Sequence, residues 1–319
     1  MIFKGRANLL KDYLIGTGGW AYFQVPRLKP LAAYSKVFNF VEVNSTFYQI
    51  PSLAEVENWR KLVPPDFSFS VRACRSITHT HKLKPEGDVF TDFEKMKRIC
   101  GVLKAEILHL QTPATFKVDE MSFKDMQQLL SSLNLGNLRL ALEIRGTPSA
   151  GLPNDFLRLM QDNNIIHSID LSKGEKPAYD SDTLYTRLFG KGEHNIYQPT
   201  DGELMEIDRK TKSIQSSKIV MSFHFVRMYK DAVRLKTYRQ TGKFPPITNS
   251  TGLASLEAVL GEDATFPATK QQLIQNQGWK LFDFSKTERI HVAESLNRLP
   301  EKTYNSLAEV IKQTELTMK

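Results

Sequence analysis

Cysteine is scarce in this chain of 319 residues, which holds only Cys74 and Cys100. Two cysteines cannot make a disulfide framework and their spacing fits no zinc motif, so both read as small buried apolar residues. Long hydrophobic runs are missing as well. No uninterrupted apolar stretch reaches the roughly 18 residues that a membrane helix needs. The N-terminus MIFKGRANLLKDYLIGTGGW lacks the basic, apolar and small-residue segments of a secretory signal, so the chain reads as cytoplasmic and without a membrane partner. Glycines 16, 18 and 19 lack the third glycine and the acidic ribose partner of a dinucleotide fingerprint. A serine nucleophile elbow, a P-loop and a close-spaced metal motif such as HExxH are absent too.

What is present is the composition of a folded protein, 41% apolar and 24% charged. The length exceeds one usual core and fits a single α/β barrel with an appendage. Residues 247–319 hold 8 Lys and Arg against 9 Asp and Glu, so residues 1–246 carry +9 and the tail −1. A field of that sign raises encounter with polyanions such as nucleic acid, although a lysine-rich solvated surface would look the same.

Eight short β-branched or aromatic runs recur, at residues 14–18, 38–44, 67–73, 106–111, 138–145, 165–171, 184–190 and 218–225. Segments of helical periodicity separate most of them, as a parallel sheet requires, and eight repeats predict closure into a TIM-type (β/α)8 barrel. The link between the sixth and seventh runs has no clear helical pattern, so one helix is weak or missing. After KFPPITNS the pattern changes to short helices over FPATKQQLIQNQ, SKTERIHVAESLNRL and YNSLAEVIKQTEL, with Ser285 and Asn305 or Ser306 as N-caps. The Pro245-Pro246 pair marks the boundary between a barrel domain, 1–246, and a small helical domain, 247–319.

Strand side chains alternate faces, so parity separates inward from outward residues. On one parity stand Glu42 and Asn44; Ser68, Ser70 and Arg72; His109 and Gln111; Glu143 and Arg145; Ser168 and Asp170; Tyr185 and Arg187; Ser222 and His224. These polar residues gather at the C-terminal strand ends, where a TIM barrel carries its active site. Burying so many ions without mutual pairing or a ligand would cost several kcal/mol per ion, so a charge-compensated cluster around a polar ligand is expected. Plainer readings exist for single members. Glu143 with Arg145 fits a structural ion pair, Arg187 fits an exposed rim position, and His109 fits a satisfied core histidine.

The runs IGTGGWAY, FVEVNSTFYQIPS, FSFSVRACRSITHTHKL, ILHLQTPATF, ALEIRG and FHFVRMYKDAVRLKTY, together with Trp59, resemble the domain of unknown function 72 family, also called YecE-like, over residues 14–240. The resemblance implies a TIM-type barrel without an assigned activity. The chain departs from the usual pattern on its seventh strand, where Arg187-Leu188-Phe189-Gly190 replaces a Leu-His-Gly ending, and after the eighth, where Phe223-His224-Phe225 stands in place of a paired Asn. The tail weakly resembles another small family, domain of unknown function 2795.

Two chemistries fit the inward cluster. Glu42, Glu143 and Asp170, with His79 and His81 on the SITHTH loop, offer oxygen and nitrogen ligands for a divalent metal. Alternatively Arg72, Arg145 and Arg187 bind an anion, while Glu42 or Glu143 exchanges a proton if burial raises its pKa and His79 contacts phosphate or acts as acid catalyst. Trp20, Tyr22, Phe47 and Tyr48 would give a stacking wall, with Asn44, Gln111 and His224 as further contacts. The leading expectation is a hydrolase of a phosphate-bearing substrate, nucleic acid among them, working by acid/base chemistry with or without a divalent metal. A metal-independent isomerase or lyase on a small sugar or acid, and a noncatalytic binding protein whose tail docks a protein partner, are the alternatives.

Overall fold

The computed structural model of the protein describes residues 11–317; half of the N-terminal stretch inspected for a secretory signal lies outside them. The chain forms two compact units. The first takes the described part of Met1–Leu188 with Lys210–His224, and the second takes Phe189–Arg209 with the described part of Phe225–Lys319. The Pro245-Pro246 pair therefore falls inside the second unit.

Among the described residues of the first unit, eight parallel strands follow chain order: β1 (Asp12–Thr17), β2 (Phe40–Val43), β3 (Ser68–Arg72), β4 (Ile107–Gln111), β5 (Arg139–Glu143), β6 (Ile166–His167), β7 (Thr183–Leu188) and β8 (Lys218–Phe223). Each lies within or against one of the eight predicted runs. Ladders run β1-β8-β7 and β2-β3-β4-β5-β6. At the β6–β7 seam, the Ile169 amide donates to the Tyr185 carbonyl and the Arg187 amide to the Ile169 carbonyl. At the β1–β2 seam one side chain replaces the ladder. The Tyr34 hydroxyl accepts from the Thr17 amide at 2.9 Å and donates to the Phe40 carbonyl at 2.9 Å. The backbones come close there because Gly16 has no Cβ; an added one would stand 2.0 Å from the Phe40 carbonyl oxygen.

Helices α1 (Pro30–Tyr34), α2 (Leu53–Lys61), α3 (Val89–Leu103), α4 (Glu120–Ser132) and α5 (Asn154–Asp162) connect the first six strands, and α6 (Asp201–Ser213) precedes β8. Local chemistry sets their ends. Pro30 opens α1, the Ser52 hydroxyl caps α2, and Asp119 with Ser122 forms a capping box on α4. Between β6 and β7 lies only a 3-10 turn, Leu171–Lys173, which accounts for the missing helical pattern. This is a TIM-type barrel with one crossover helix replaced by a loop.

Inside it, Leu14, Phe40, Ile107, Ala141, Ile166, Tyr185 and Val220 pack as one cluster. Phe40, Ile107, Ala141, Ile166 and Val220 each stand two residues before a member of the polar set chosen by parity, and Tyr185 belongs to that set, so the interior is mainly apolar at its middle and polar toward the C-terminal strand ends. At the N-terminal end a cavity of about 210 Å³ opens among Asp12, Ser68, Glu106 and Lys218. That end serves stability rather than catalysis in this architecture.

The second unit contains α7 (Met228–Thr241), α8 (Leu253–Leu260), β9 (Ala268–Thr269), α9 (Lys270–Gln277), β10 (Leu281–Asp283), β11 (Arg289–His291), α10 (Val292–Leu296), β12 (Thr303–Tyr304) and α11 (Leu307–Thr317). The helix predicted over SKTERIHVAESLNRL shortens to α10, because Arg289, Ile290 and His291 pair as a strand with β10. Ser285 therefore accepts from Thr287 and Glu288 amides in a turn, not at a helix start, whereas Ser306 does cap α11 by accepting from Glu309. Leu256, Val259, Leu273, Phe282, Leu296, Tyr304 and Val310 share the core of this unit. No helix among the described residues is long and apolar enough to cross a membrane.

Candidate functional site

Glu42, at the end of β2, is fully buried, and so is Arg187 at the end of β7, with 0% and 1% of their surfaces exposed. They meet in a two-pronged bond: Arg187 donates from Nε to Oε2 and from Nη2 to Oε1, both at 3.0 Å. The third nitrogen, Nη1, reaches Glu143 Oε2 at 2.8 Å. One guanidinium thus joins two carboxylates across the barrel. Tyr185 donates its hydroxyl to Glu42 Oε2 at 2.8 Å and lies 2.7 Å from Ser70 Oγ. Gln111 donates to the second oxygen of Glu143 at 2.6 Å. Arg187 is therefore buried, not at the rim, and the ion partner of Glu143 is Arg187 far more than Arg145, whose Nε stays 3.8 Å away on a half-exposed side chain.

The charge states follow. Burial is the largest single influence and by itself would raise both carboxyls, but Arg187 together with the neighbouring histidines and hydrogen bonds outweighs it. Glu42 is held well below the usual carboxylate range, with help from His224, and Glu143 is pulled down to about 2. The idea that burial lifts either acid into the range of a general base is overturned. Burial and the Arg187 charge act in the same direction on the histidines: His109 falls to about 3, and His224 is also lowered. His109 stacks on Tyr185 with centroids 5.2 Å apart and bonds Ser168 Oγ at 3.1 Å through Nε2. His224 Nε2 lies 3.0 Å from Ser222 Oγ and 3.5 Å from Glu42 Oε1, and its ring occupies the space left by Gly18.

Arg72 closes the other side. It donates to the amide oxygens of Asn44, at 2.8 Å, and Gln111, and its guanidinium lies 3.7 Å from the centre of the Phe47 ring. Its side-chain bonds go to neutral amides, and Nε has no hydrogen-bond partner although the residue is only 7% exposed. Burial and the repulsion of Arg187 lower its pKa to about 10, so it keeps its proton at neutral pH.

After β3 the chain makes a single π turn, Ser76–Thr80, in which the His81 amide donates back to the Ser76 carbonyl. Such turns are frequent at functional sites because they re-aim a side chain. Here the turn brings His79 within 4.8 Å of the Phe47 ring, edge to face, and sets its Nδ1 2.9 Å from Thr78 Oγ1. Burial and then the charges of Arg72, Arg75 and Arg145 lower the pKa of His79. Three guanidinium groups thus bear on one imidazole at the barrel mouth.

Other expected members sit apart from this arrangement. Asp170 turns into its own loop, where it caps the 3-10 turn through the Ser172 amide and hydroxyl. No group of three or more His, Cys, Asp or Glu is placed to hold a metal ion among the described residues. Arg187 occupies the space between Glu42 and Glu143 where such an ion would have to sit. Trp20 packs edge-on against Trp59 at 5.2 Å, while Tyr22 and Tyr48 are 83% and 76% exposed. Three members had no assigned role in the expected site. Tyr185 and His109 stand in the inward parity set, one step deeper than Arg187 and Gln111, with His109 read as a satisfied core histidine. Arg75 lies past the end of β3, where alternation carries no information.

The family described as "Protein of unknown function DUF72" matches residues 14–241. Over 134 residues the chain is 31% identical to UPF0759 protein YecE of Escherichia coli K12, covering 41% of this chain and 47% of YecE. It is 25% identical over 194 residues to UPF0759 protein YunF of Bacillus subtilis, covering 55% and 67% of the two chains. The match to YecE thus spans about half of that relative's length. A crystal structure of a DUF72 family protein from Thermotoga maritima superposes with a TM-score of 0.58 at 20% identity, over 72% of this chain and 99% of the other. That likeness supports the fold, and the family match covers well over half of the residues: the chain belongs to the DUF72 family.

Proposed function

We propose that the barrel mouth binds a phosphate-bearing substrate, nucleic acid among the candidates, and hydrolyses its ester by acid/base chemistry centred on His79. Arg72 carries this reading: Glu42 and Glu143 act on this buried guanidinium only through space, its side-chain bonds go to neutral amides and its Nε is unpartnered, so an anion would supply the direct charge-assisted bond it lacks. Arg75 and Arg145 add positive charge around the same imidazole. Glu42 and Glu143 serve as ionised anchors of Arg187, and proton transfer falls to His79. In the tautomer whose Nδ1–H donates to Thr78 Oγ1, Nε2 is the basic nitrogen. It takes a proton from the attacking water as oxygen bonds to phosphorus, and returns that proton to the leaving oxygen as the ester bond breaks. The +9 charge of residues 1–246 favours encounter with a polyanion.

The test is calorimetric titration with inorganic phosphate at low salt, together with hydrolysis of bis-p-nitrophenyl phosphate. Arg72→Gln should abolish phosphate binding, and His79→Gln should lower kcat by about 10²- to 10⁴-fold with little change in KM. Wild-type protein that binds no phosphate at low salt would rule the proposal out.

A further inference from the structure

The 3-10 turn Ser45–Phe47 after β2 is fastened at its centre. The Thr46 hydroxyl reaches the Val43 carbonyl at 2.9 Å and the Arg72 carbonyl at 2.6 Å, tying the turn to both neighbouring strands. Phe47 then points inward, with Arg72 over its face and His79 at its edge. The next residue, Tyr48, is left outside. Its ring touches Phe47 edge-on at 5.1 Å, yet 76% of the residue is exposed. Of the other aromatic rings singled out at the mouth, Trp20 meets Trp59, Tyr185 bonds Glu42 and Tyr34 bridges the β1–β2 seam, while Tyr22, also exposed, lies on the loop after β1. Tyr48 combines an anchored turn, an open ring face and edge contact with the Phe47 ring, whose face the Arg72 guanidinium covers.

A large ring held in water near a guanidinium that bonds no carboxylate directly and has a free Nε suits a ligand with two parts, one planar and one charged. Building on the phosphate-binding reading above, we propose that Tyr48 is the stacking platform for a nucleobase and that the ligand is a nucleotide, either free or at the end of a single strand. The phosphate lies on Arg72 and its neighbours Arg75 and Arg145, and the base lies on the Tyr48 ring. Stacking tolerates any base, so specificity among bases is low.

The experiment compares uridine 5′-monophosphate, ribose 5-phosphate and a short oligothymidylate on the full chain. Wild type should bind the nucleotide more tightly than ribose 5-phosphate. Tyr48→Ala should weaken the nucleotide by about 5- to 150-fold, leave ribose 5-phosphate unchanged, and be rescued by Tyr48→Phe. An oligothymidylate that outbinds the mononucleotide assigns a strand end, and one that does not assigns a free nucleotide. Equal binding of nucleotide and ribose 5-phosphate by wild type overturns the base platform while leaving phosphate binding intact. Failure of the phosphate reading looks different, since ribose 5-phosphate then does not bind at all and Arg72→Gln changes nothing.

Discussion

His79 is neutral in the free protein because burial and three arginine charges, Arg72, Arg75 and Arg145, oppose its protonation. A bound dianion reverses the electrostatic part of that opposition, so binding should draw the imidazole pKa upward and take up a proton. Sulfate, which stays doubly charged across this range, separates the effect from titration of the ligand. Its affinity should strengthen as pH falls from mildly alkaline to mildly acidic, and His79→Gln should flatten the profile. A wild-type profile that is already flat would show that the imidazole does not face the anion. The neighbouring His81 lies 3.9 Å from Glu86 one turn further on and supplies the control substitution.

Arg187 makes the opposite kind of case, a cation whose removal is felt by its partners. Arg187→Met leaves Glu42 and Glu143 without the guanidinium that keeps them ionised, and breaking a buried pair of this kind costs about 3–5 kcal/mol. The sign then inverts with pH. In the variant, burial governs and the folded carboxyl pKa values lie above the unfolded ones, so the acids are best tolerated protonated. The stability deficit in urea unfolding should be largest near neutrality and shrink on acidification. A deficit independent of pH would mean that the two acids do not depend on Arg187.

Among the elements, the seam between β1 and β2 is the place where a small change should do most. An alanine Cβ at position 16 would meet backbone, the Phe40 carbonyl oxygen at 2.0 Å, so no side-chain rotation can relieve it. Tyr34→Phe leaves a donor at Thr17 and an acceptor at Phe40 without their shared partner, at about 1–3 kcal/mol for each buried group. Both variants should lower the urea midpoint, with Gly16→Ala the more severe. A Tyr34→Phe protein as stable as wild type would mean that the seam is held by something other than this hydroxyl.

The elements also show where sequence pattern stops being informative. β8 was readable from KIVMSFHF because six residues of it enter ladders on both sides. The run IIHSIDL has the same composition, yet β6 holds two residues, since Asp170 leaves the sheet to cap a turn. The π turn that aims His79 has no local signature at all, because the bond closing it spans one residue more than an α-helical one.

For the molecule as a whole, the buried histidines predict an early loss of stability in acid. His109 and His167 have folded pKa values of about 3 and about 4, set by burial and, for His109, by Arg187. Both values lie below the ordinary 6.5, so the unfolded chain binds more protons beneath that pH. The stability they contribute is complete above 6.5 and is lost as pH falls toward their folded values. Glu143 follows the same logic lower down, its contribution complete above 4.5 and lost on approach to about 2. Urea midpoints should therefore begin to fall near pH 6.5 and fall more steeply below 4.5, with His109→Gln softening the first phase. Constant midpoints from pH 6.5 to 5 would contradict the buried neutral state of these rings.

Alternation along a strand is a local property, and from it the sequence by itself determined the eight strands, the faces of their side chains and the polar C-terminal ends. Ionisation depends on which groups end up a few ångströms apart after separate strands are brought together. Only the tertiary structure decided that Arg187 stands between Glu42 and Glu143, that both acids stay charged, and that Asp170 goes to a turn. It also decided that Arg72 keeps its charge among neutral amides, because the distance from one strand end to another is written in no single segment of the chain.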